Sequence, residues 1–183
     1  MGKEAIKHKA IFLDRDGVIN EDTGYVAKIE DLQIIDEALD AIRALTDSKF
    51  KLFIVTNQSG VARGLISIES LQKIHELLLE KVKDAGGLIT DIAFCPHYIK
   101  GKIPKYNIKC NCRKPMPGLI LSLAKRHNID LKQSIMVGDK ITDIECALNA
   151  GIKQTYLIES RYHAKKFPLA YRTLMEVSKK IIS

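Results

Sequence analysis

The chain has 183 residues, 46% of them hydrophobic and 28% charged, which suits a single packed domain spanning residues 1–183 with an ordinary core rather than a disordered chain. No apolar run approaches the ~20 residues that cross a bilayer, and the polar opening MGKEAIKHK does not read as a secretory leader, so a cytoplasmic protein is expected. The net charge of +7 invites an anionic partner without saying whether that is nucleic acid, a membrane face or a small molecule.

In chain order, short apolar runs alternate with amphipathic patterns. Ala10–Leu13 reads as a strand buried on both faces. After Asp36, Ala38, Leu39, Ile42 and Leu45 share one helical face, and Leu52–Val55 is a second strand. Ser67 suits a helix N-cap, Leu71, Ile74, Leu78 and Val82 form the apolar stripe behind it, and Gly86-Gly87 ends it. Ile89–Phe94 is a third strand. Pro117 fits the first turn of a helix that carries Leu121 and Ala124 and stops near Asn128. Ser134–Val137, a helix over Thr142–Ala150 with Gly151 past its end, and Gln154–Ile158 complete the alternation. In the tail, 160–183, Leu174, Met175, Val177 and Ile181 predict a helix that docks on the rest. This order predicts an α/β fold with a mainly parallel sheet, and such sheets bind ligands beyond the carboxyl ends of their strands.

Three polar motifs lie at those strand ends. Asp14-Arg15-Asp16-Gly17 follows the first strand; two carboxylates two residues apart can serve as nucleophile and as acid/base, or merely cap a turn. Gly17 lets the chain turn away at once. Thr56-Asn57-Gln58-Ser59 follows the second strand and is rich in donors for phosphate oxygens, or is a polar turn. Gly138-Asp139-Lys140-Ile141-Thr142-Asp143 follows the fourth. Asp139 is placed to hold a hard cation such as Mg²⁺, and Asp143 to cap the next helix or brace the loop. Lys114 supplies a point charge ahead of another helix.

Cys95, His97, Cys110 and Cys112 form a complete Cys₃His set for a closed, structural zinc site, with free thiols or a redox pair as the alternatives. The segment 95–112 would then be a zinc-stabilised loop whose stretch 98–109, with Lys100, Lys102, Lys105 and Lys109, walls the strand ends and brings Arg113 and Lys114 to a phosphate. Cys146, among apolar neighbours, reads as a small core residue, and His8, His75, His127 and His163 as ordinary polar histidines.

The order DxDG, Thr, Lys, GDxxxD resembles the haloacid dehalogenase-like phosphatase superfamily from residue 10 to 143. The resemblance implies a Rossmannoid three-layer fold, here with no room for a large cap domain. It further implies Asp14 as nucleophile, Asp16 as general acid and base, and Thr56 and Lys114 steadying the phosphoryl group. Mg²⁺ would be held by Asp14, the Asp16 backbone carbonyl and Asp139. Within that superfamily DRDGVIN, Asp22-Thr23-Gly24-Tyr25, TNQSGVARG, CPH…CNCRKPMPG and MVGDKITD resemble the family that hydrolyses the C7 phosphate of D-glycero-D-manno-heptose 1,7-bisphosphate in ADP- or GDP-heptose biosynthesis.

That resemblance implies a small-molecule sugar bisphosphate as partner, contacted at Asp14, Arg15, Asp16, Asp22, Thr23, Gly24, Tyr25, Thr56, Asn57, Gln58, Ser59, Arg113, Lys114 and Lys140. It departs from the pattern at Thr23 and Met116, where relatives often carry His. A monomer is expected, with neither nucleic acid nor membrane as partner.

Three rivals are weighed. Histidinol-phosphate phosphatases share a zinc loop, but with a shorter gap than the twelve residues between His97 and Cys110. A zinc-stabilised nucleic-acid module would want aromatics interleaved with basic residues, and aromatics are only 6% here. A phospho-acceptor signalling domain would lack Asp16, whose base chemistry shortens the life of a phosphoenzyme.

Overall fold

A computed structural model of the chain describes residues 7–160 and 170–183. Five parallel strands, β1 (Lys9–Leu13), β2 (Phe50–Asn57), β3 (Asp91–Cys95), β4 (Ile135–Gly138) and β5 (Gln154–Leu157), form one sheet in the order β3-β2-β1-β4-β5. The chain first builds outward from β1 through β2 to β3. It then returns to the other side of β1 with β4, so the β1/β4 junction is the switch point where such sheets open a crevice. Asp14 and Asp139 directly follow those two strands.

The period of two along each strand divides the core into two layers. Ile11, Leu13, Ile54 and Val137 face α1 (Asp36–Thr46), α2 (Ile68–Asp84) and α5 (Leu174–Ile182). Phe12, Phe53, Val55 and Met136 face α3 (Gly118–His127) and α4 (Ile141–Ala150). Both faces are covered, which is why the strands read as unbroken apolar runs. Cys146 is buried among the α4 side of this core, as expected.

The predicted elements are all present, with displaced ends. β2 starts two residues before the apolar run and extends two beyond it, because it pairs on both sides: Phe50 lies opposite Lys9, and Asn57 opposite Cys95. Ile89 is buried in the core but precedes β3. Ser67 caps α2 by accepting the Ser70 N–H, whereas Pro117 is the N-cap residue of α3 rather than part of its first turn. Asn128 and Gly151 end α3 and α4 in left-handed conformations. The tail helix α5 does dock, burying Leu174 and Val177 against α1. His163 and the tail residues 161–169 lie outside the described residues.

A smaller apolar cluster of Val26, Val61, Ile66, Leu71 and Ile74 supports the segments above the strand ends. There the stretch after β3 folds over the segment that follows β2, with Ile103 N–H donating to the Ala62 carbonyl at 2.9 Å and Ala62 N–H to the Pro96 carbonyl at 3.2 Å.

Candidate active site

Asp14 sits at the floor of the crevice, 4% exposed. Its Oδ1 accepts the Arg15 N–H at 2.7 Å and lies 2.9 Å from Lys114 Nζ. Burial pushes the Asp14 carboxyl up to about 6, while Lys114 pulls it down and Asp143 adds to the rise. Lys114 Nζ also lies 2.7 Å from Asp143 Oδ1 and donates to the Val55 carbonyl at 2.8 Å. Burial works against its charge, but the two carboxylates outweigh that and hold its pKa above the usual lysine range. Thr56, 1% exposed, lies at the end of β2 with its Oγ1 accepting from Gln58 Nε2 at 2.9 Å.

Asp16 is gripped from two sides. Its Oδ1 accepts from Arg15 Nε at 3.1 Å, Arg15 Nη2 at 2.7 Å and Asn20 Nδ2 at 3.0 Å. Its Oδ2 accepts from Gln58 Nε2 at 2.9 Å, and the same amide donates to Thr56 Oγ1 at 2.9 Å. Asn20, fully buried, escaped the sequence reading although it lies within DRDGVIN.

Asp14, Asp139 and Asp143 bring carboxylate oxygens within 4.8 Å of one another, all buried. Burial, with Asp14 next, pushes the Asp139 carboxyl up to about 7. Asp143 shares Lys114 with Asp14 and accepts the Lys140 N–H at 3.0 Å at the start of α4. Lys140 Nζ lies 3.5 Å from Asp139 Oδ1 and also pairs with Asp22, so two lysines serve the four carboxylates of Asp14, Asp22, Asp139 and Asp143, a deficit of positive charge. An all-oxygen donor set with this deficit fits a hard divalent cation. Gly17 adopts φ +81°, and a Cβ there would lie 2.5 Å from Asp139 Oδ2, so the turn and the close approach both need glycine.

The second cluster closes the wall. Cys95, His97, Cys110 and Cys112 converge, with Cys112 Sγ 3.2 Å from Cys95 Sγ, 3.3 Å from Cys110 Sγ and 3.3 Å from His97 Nδ1. Metal bonds of about 2.3 Å to sulfur would set the sulfurs of a tetrahedral site about 3.8 Å apart, so the cluster is tighter than a loaded site but gathers the full Cys₃His donor set within 4.8 Å. Arg113 follows Cys112 directly and donates to the His97 carbonyl at 3.2 Å. The Arg63 guanidinium lies 4.0 Å from the centre of the Tyr98 ring, which stiffens the wall further.

Together these elements surround a cavity of about 400 Å³. Asp16, Asp22, Gly24, Tyr25, Asn57, Gln58, Ser59, Arg113, Lys114 and Lys140, all expected at the site, line it; Thr142 lines it too and was missed, although it stands between Asp139 and Asp143. Lys140 Nζ lies 2.9 Å from Asp22 Oδ2, joining opposite walls.

Four sets of side chains stand apart from the cavity lining, as Asp14 and Thr56 do beneath it. The Arg15 side chain, expected at the substrate, is 1% exposed and turned into the protein, where Asp16 and His75 satisfy it. His75, read as an ordinary polar histidine, is buried on α2. Burial, and then the Arg15 charge, push its pKa down to about 3. Thr23 is exposed and does not line the cavity, because its loop is turned by the Gly24 N–H bonding to Asp22 Oδ1. Lys100, Lys102, Lys105 and Lys109 are likewise exposed and absent from the lining, to which the segment just after the Cys/His loop contributes Arg113 and Lys114.

A buried aspartate with a lysine at its side and a second buried aspartate across the β1/β4 switch point form the arrangement expected of a haloacid dehalogenase-like hydrolase. A HAD-hydrolase-like family model matches residues 111–166. A D-glycero-β-D-manno-heptose-1,7-bisphosphate 7-phosphatase of Yersinia pestis is 44% identical over 82% of this chain and 80% of its own length. A phosphatase for the α anomer from Photorhabdus laumondii is 40% identical over 84% of each chain. The crystal structure of a D,D-heptose 1,7-bisphosphate phosphatase from B. bronchiseptica, complexed with magnesium and phosphate, superposes with a TM-score of 0.83 at 31% identity, over 95% of this chain and 98% of that one. The chain belongs to the family of D-glycero-D-manno-heptose-1,7-bisphosphate 7-phosphatases.

Proposed function

We propose that this chain hydrolyses the C7 phosphate ester of D-glycero-D-manno-heptose 1,7-bisphosphate, giving heptose 1-phosphate, through an aspartyl-phosphate on Asp14. The observation that carries the reading is Lys114 Nζ set 2.9 Å from Asp14 Oδ1 below a cavity with further cations, Arg113 and Lys140, in its lining. Such a cavity has one cationic end for the reacting phosphate and others for the phosphate that stays.

In the first step the Asp14 carboxylate attacks phosphorus, the bond from phosphorus to the C7 oxygen breaks, and Asp16 gives its proton to the departing alkoxide. In the second, Asp16 takes a proton from water, the resulting hydroxide attacks phosphorus, and the bond to Asp14 breaks to release phosphate. Thr56 and Lys114 steady the phosphoryl oxygens in both steps, which is most of what phosphoryl transfer asks of a protein. The Asp14 carboxylate, the Asp16 backbone carbonyl and Asp139 would hold Mg²⁺, which would supply positive charge against the phosphoryl oxygens. Asp22, Gly24, Tyr25, Asn57, Gln58 and Ser59 shape the sugar end of the cavity.

Cys95, His97, Cys110 and Cys112 would hold Zn²⁺ as a closed structural site that sets the wall and, through Cys112, Arg113. The same reading takes residues 1–183 as one phosphatase domain, a cytoplasmic monomer serving activated-heptose synthesis. Its partner is the sugar bisphosphate rather than nucleic acid or membrane. No helix among the described residues is long and apolar enough to cross a membrane.

The experiment measures phosphate release from the α and β anomers of heptose 1,7-bisphosphate beside histidinol phosphate, with metal content determined. Turnover of a heptose anomer well above histidinol phosphate is expected. A strong preference for histidinol phosphate overturns the substrate assignment.

A further inference from the structure

We propose that His75 is a positioning residue for Asp16, acting through the Arg15 guanidinium. The inference rests on the phosphatase reading only in taking Asp16 as the acid and base of the reaction.

Arg15 follows the nucleophile in sequence, yet its side chain leaves the cavity for the interior. A buried guanidinium is costly unless its donors are met. Two of its nitrogens, Nε and Nη2, hold Asp16 Oδ1; the third, Nη1, lies 3.1 Å from His75 Nε2. A guanidinium nitrogen only donates. Nε2 of His75 therefore accepts, and the imidazole is neutral with its proton on Nδ1. The ring is itself buried, and it meets Phe94 edge-on with centroids 5.6 Å apart, which fixes its plane. The planar fork of Arg15 is thus held at both ends, by an imidazole from α2 and by the carboxylate it orients.

The consequence falls on Asp16. Three donors crowd its Oδ1, leaving no place there for a transferable proton. Its Oδ2 shares the Gln58 amide with Thr56 and so lies on the side of the phosphoryl-binding hydroxyl. The relay assigns the transferred proton to Oδ2 and keeps that oxygen in place. Misplacement by about an ångström costs on the order of 10²-fold in rate. Without the His75 acceptor, Nη1 loses the partner it has here, and the fork that aims Asp16 is no longer fixed at its far end.

The test compares wild type, His75→Phe, His75→Leu, His75→Gln, Arg15→Met and the double variant His75→Phe/Arg15→Met. Each is assayed for kcat and KM on heptose 1,7-bisphosphate and for the Arg15 Nε–H resonance by NMR. His75→Gln keeps an acceptor, and His75→Leu stands in should the phenylalanine variant fail to fold. Expected is a fall in kcat of roughly 10- to 100-fold in the Phe and Leu variants, with KM within about two-fold. The solvent-protected Arg15 Nε–H signal disappears with it. His75→Gln restores most of both, and adding His75→Phe to Arg15→Met costs less than about two-fold more, because the relay is already cut. Unchanged kcat with a persisting Arg15 signal overturns the proposal, as does a loss confined to KM or a full multiplicative loss in the double variant. A wild-type enzyme inert toward the heptose ester overturns the substrate assignment instead, and the Arg15 resonance then decides the relay.

Discussion

Asn57 holds Lys114 by both sides of its peptide, although 57 residues separate them: the Asn57 Oδ1 accepts the Lys114 N–H at 3.0 Å and its Nδ2 donates to the Lys114 carbonyl at 3.2 Å. This pair delivers the end of the Cys/His loop to Asp14. Asn57→Ala leaves a peptide with neither partner. A loss of about 1–3 kcal/mol in unfolding free energy is expected, with a fall in kcat of roughly ten-fold as Lys114 drifts. Asn57→Asp keeps the acceptor and should fall between. Urea unfolding read beside initial rates checks both.

Asp14 and Thr56 should separate sharply. Asp14→Asn removes the carboxylate proposed as nucleophile and is expected to abolish turnover and any acid-trapped phosphoenzyme. Thr56→Ala removes one stabilising donor and should cost on the order of 10²-fold in kcat, with the phosphoenzyme still detectable by intact mass. Equal residual rates in the two variants would contradict the roles given to them.

Metal removal should act differently at the two clusters. Stripping the ion from Cys95, His97, Cys110 and Cys112, or replacing Cys112 by Ser, is expected to lower the melting temperature and raise KM, since Arg113 adjoins the cluster. Phosphoenzyme should still form at high substrate. Asp139→Asn should instead lose activity together with its Mg²⁺ dependence, and a fully active variant would remove Asp139 from the cation site.

His75 also predicts a pH dependence of stability. Its folded pKa is about 3 against an ordinary value of 6.5, so between those values the unfolded chain binds the extra proton. The stability contributed by this site is full above pH ~6.5 and drains away as pH falls toward 3, by about 1.4 kcal/mol per pH unit at its steepest. His75→Gln should flatten the curve of unfolding free energy between pH 7 and 4.5 relative to wild type. Parallel curves would show that His75 is protonated alike in both states.

Much of this site is legible along the chain because strand ends are local events. A run such as Ile11–Leu13 stops where a polar residue begins, and in a parallel sheet that point is also where ligands bind, so Asp14, Thr56 and Asp139 could be placed without knowing the strand order. The Cys/His set was legible for a similar reason: each half is a short local spacing. Asn20 and Thr142 were missed inside motifs already singled out, because a motif marks a location and not which way each side chain turns.

What the sequence by itself determined was the class of fold, the strand-end positions of Asp14 and Asp16, Lys114 ahead of its helix and the two clusters of potential metal ligands, since each depends on residue type and short spacing. Only the tertiary structure decided that Arg15 turns inward to His75, that Asn57 grips Lys114, and that the loop lysines face solvent while Lys140 reaches Asp22. Those choices join elements dozens of residues apart. A side chain's direction there is settled by what packs against it and by the cost of burying an unpaired charge, and neither is written in the neighbouring residues.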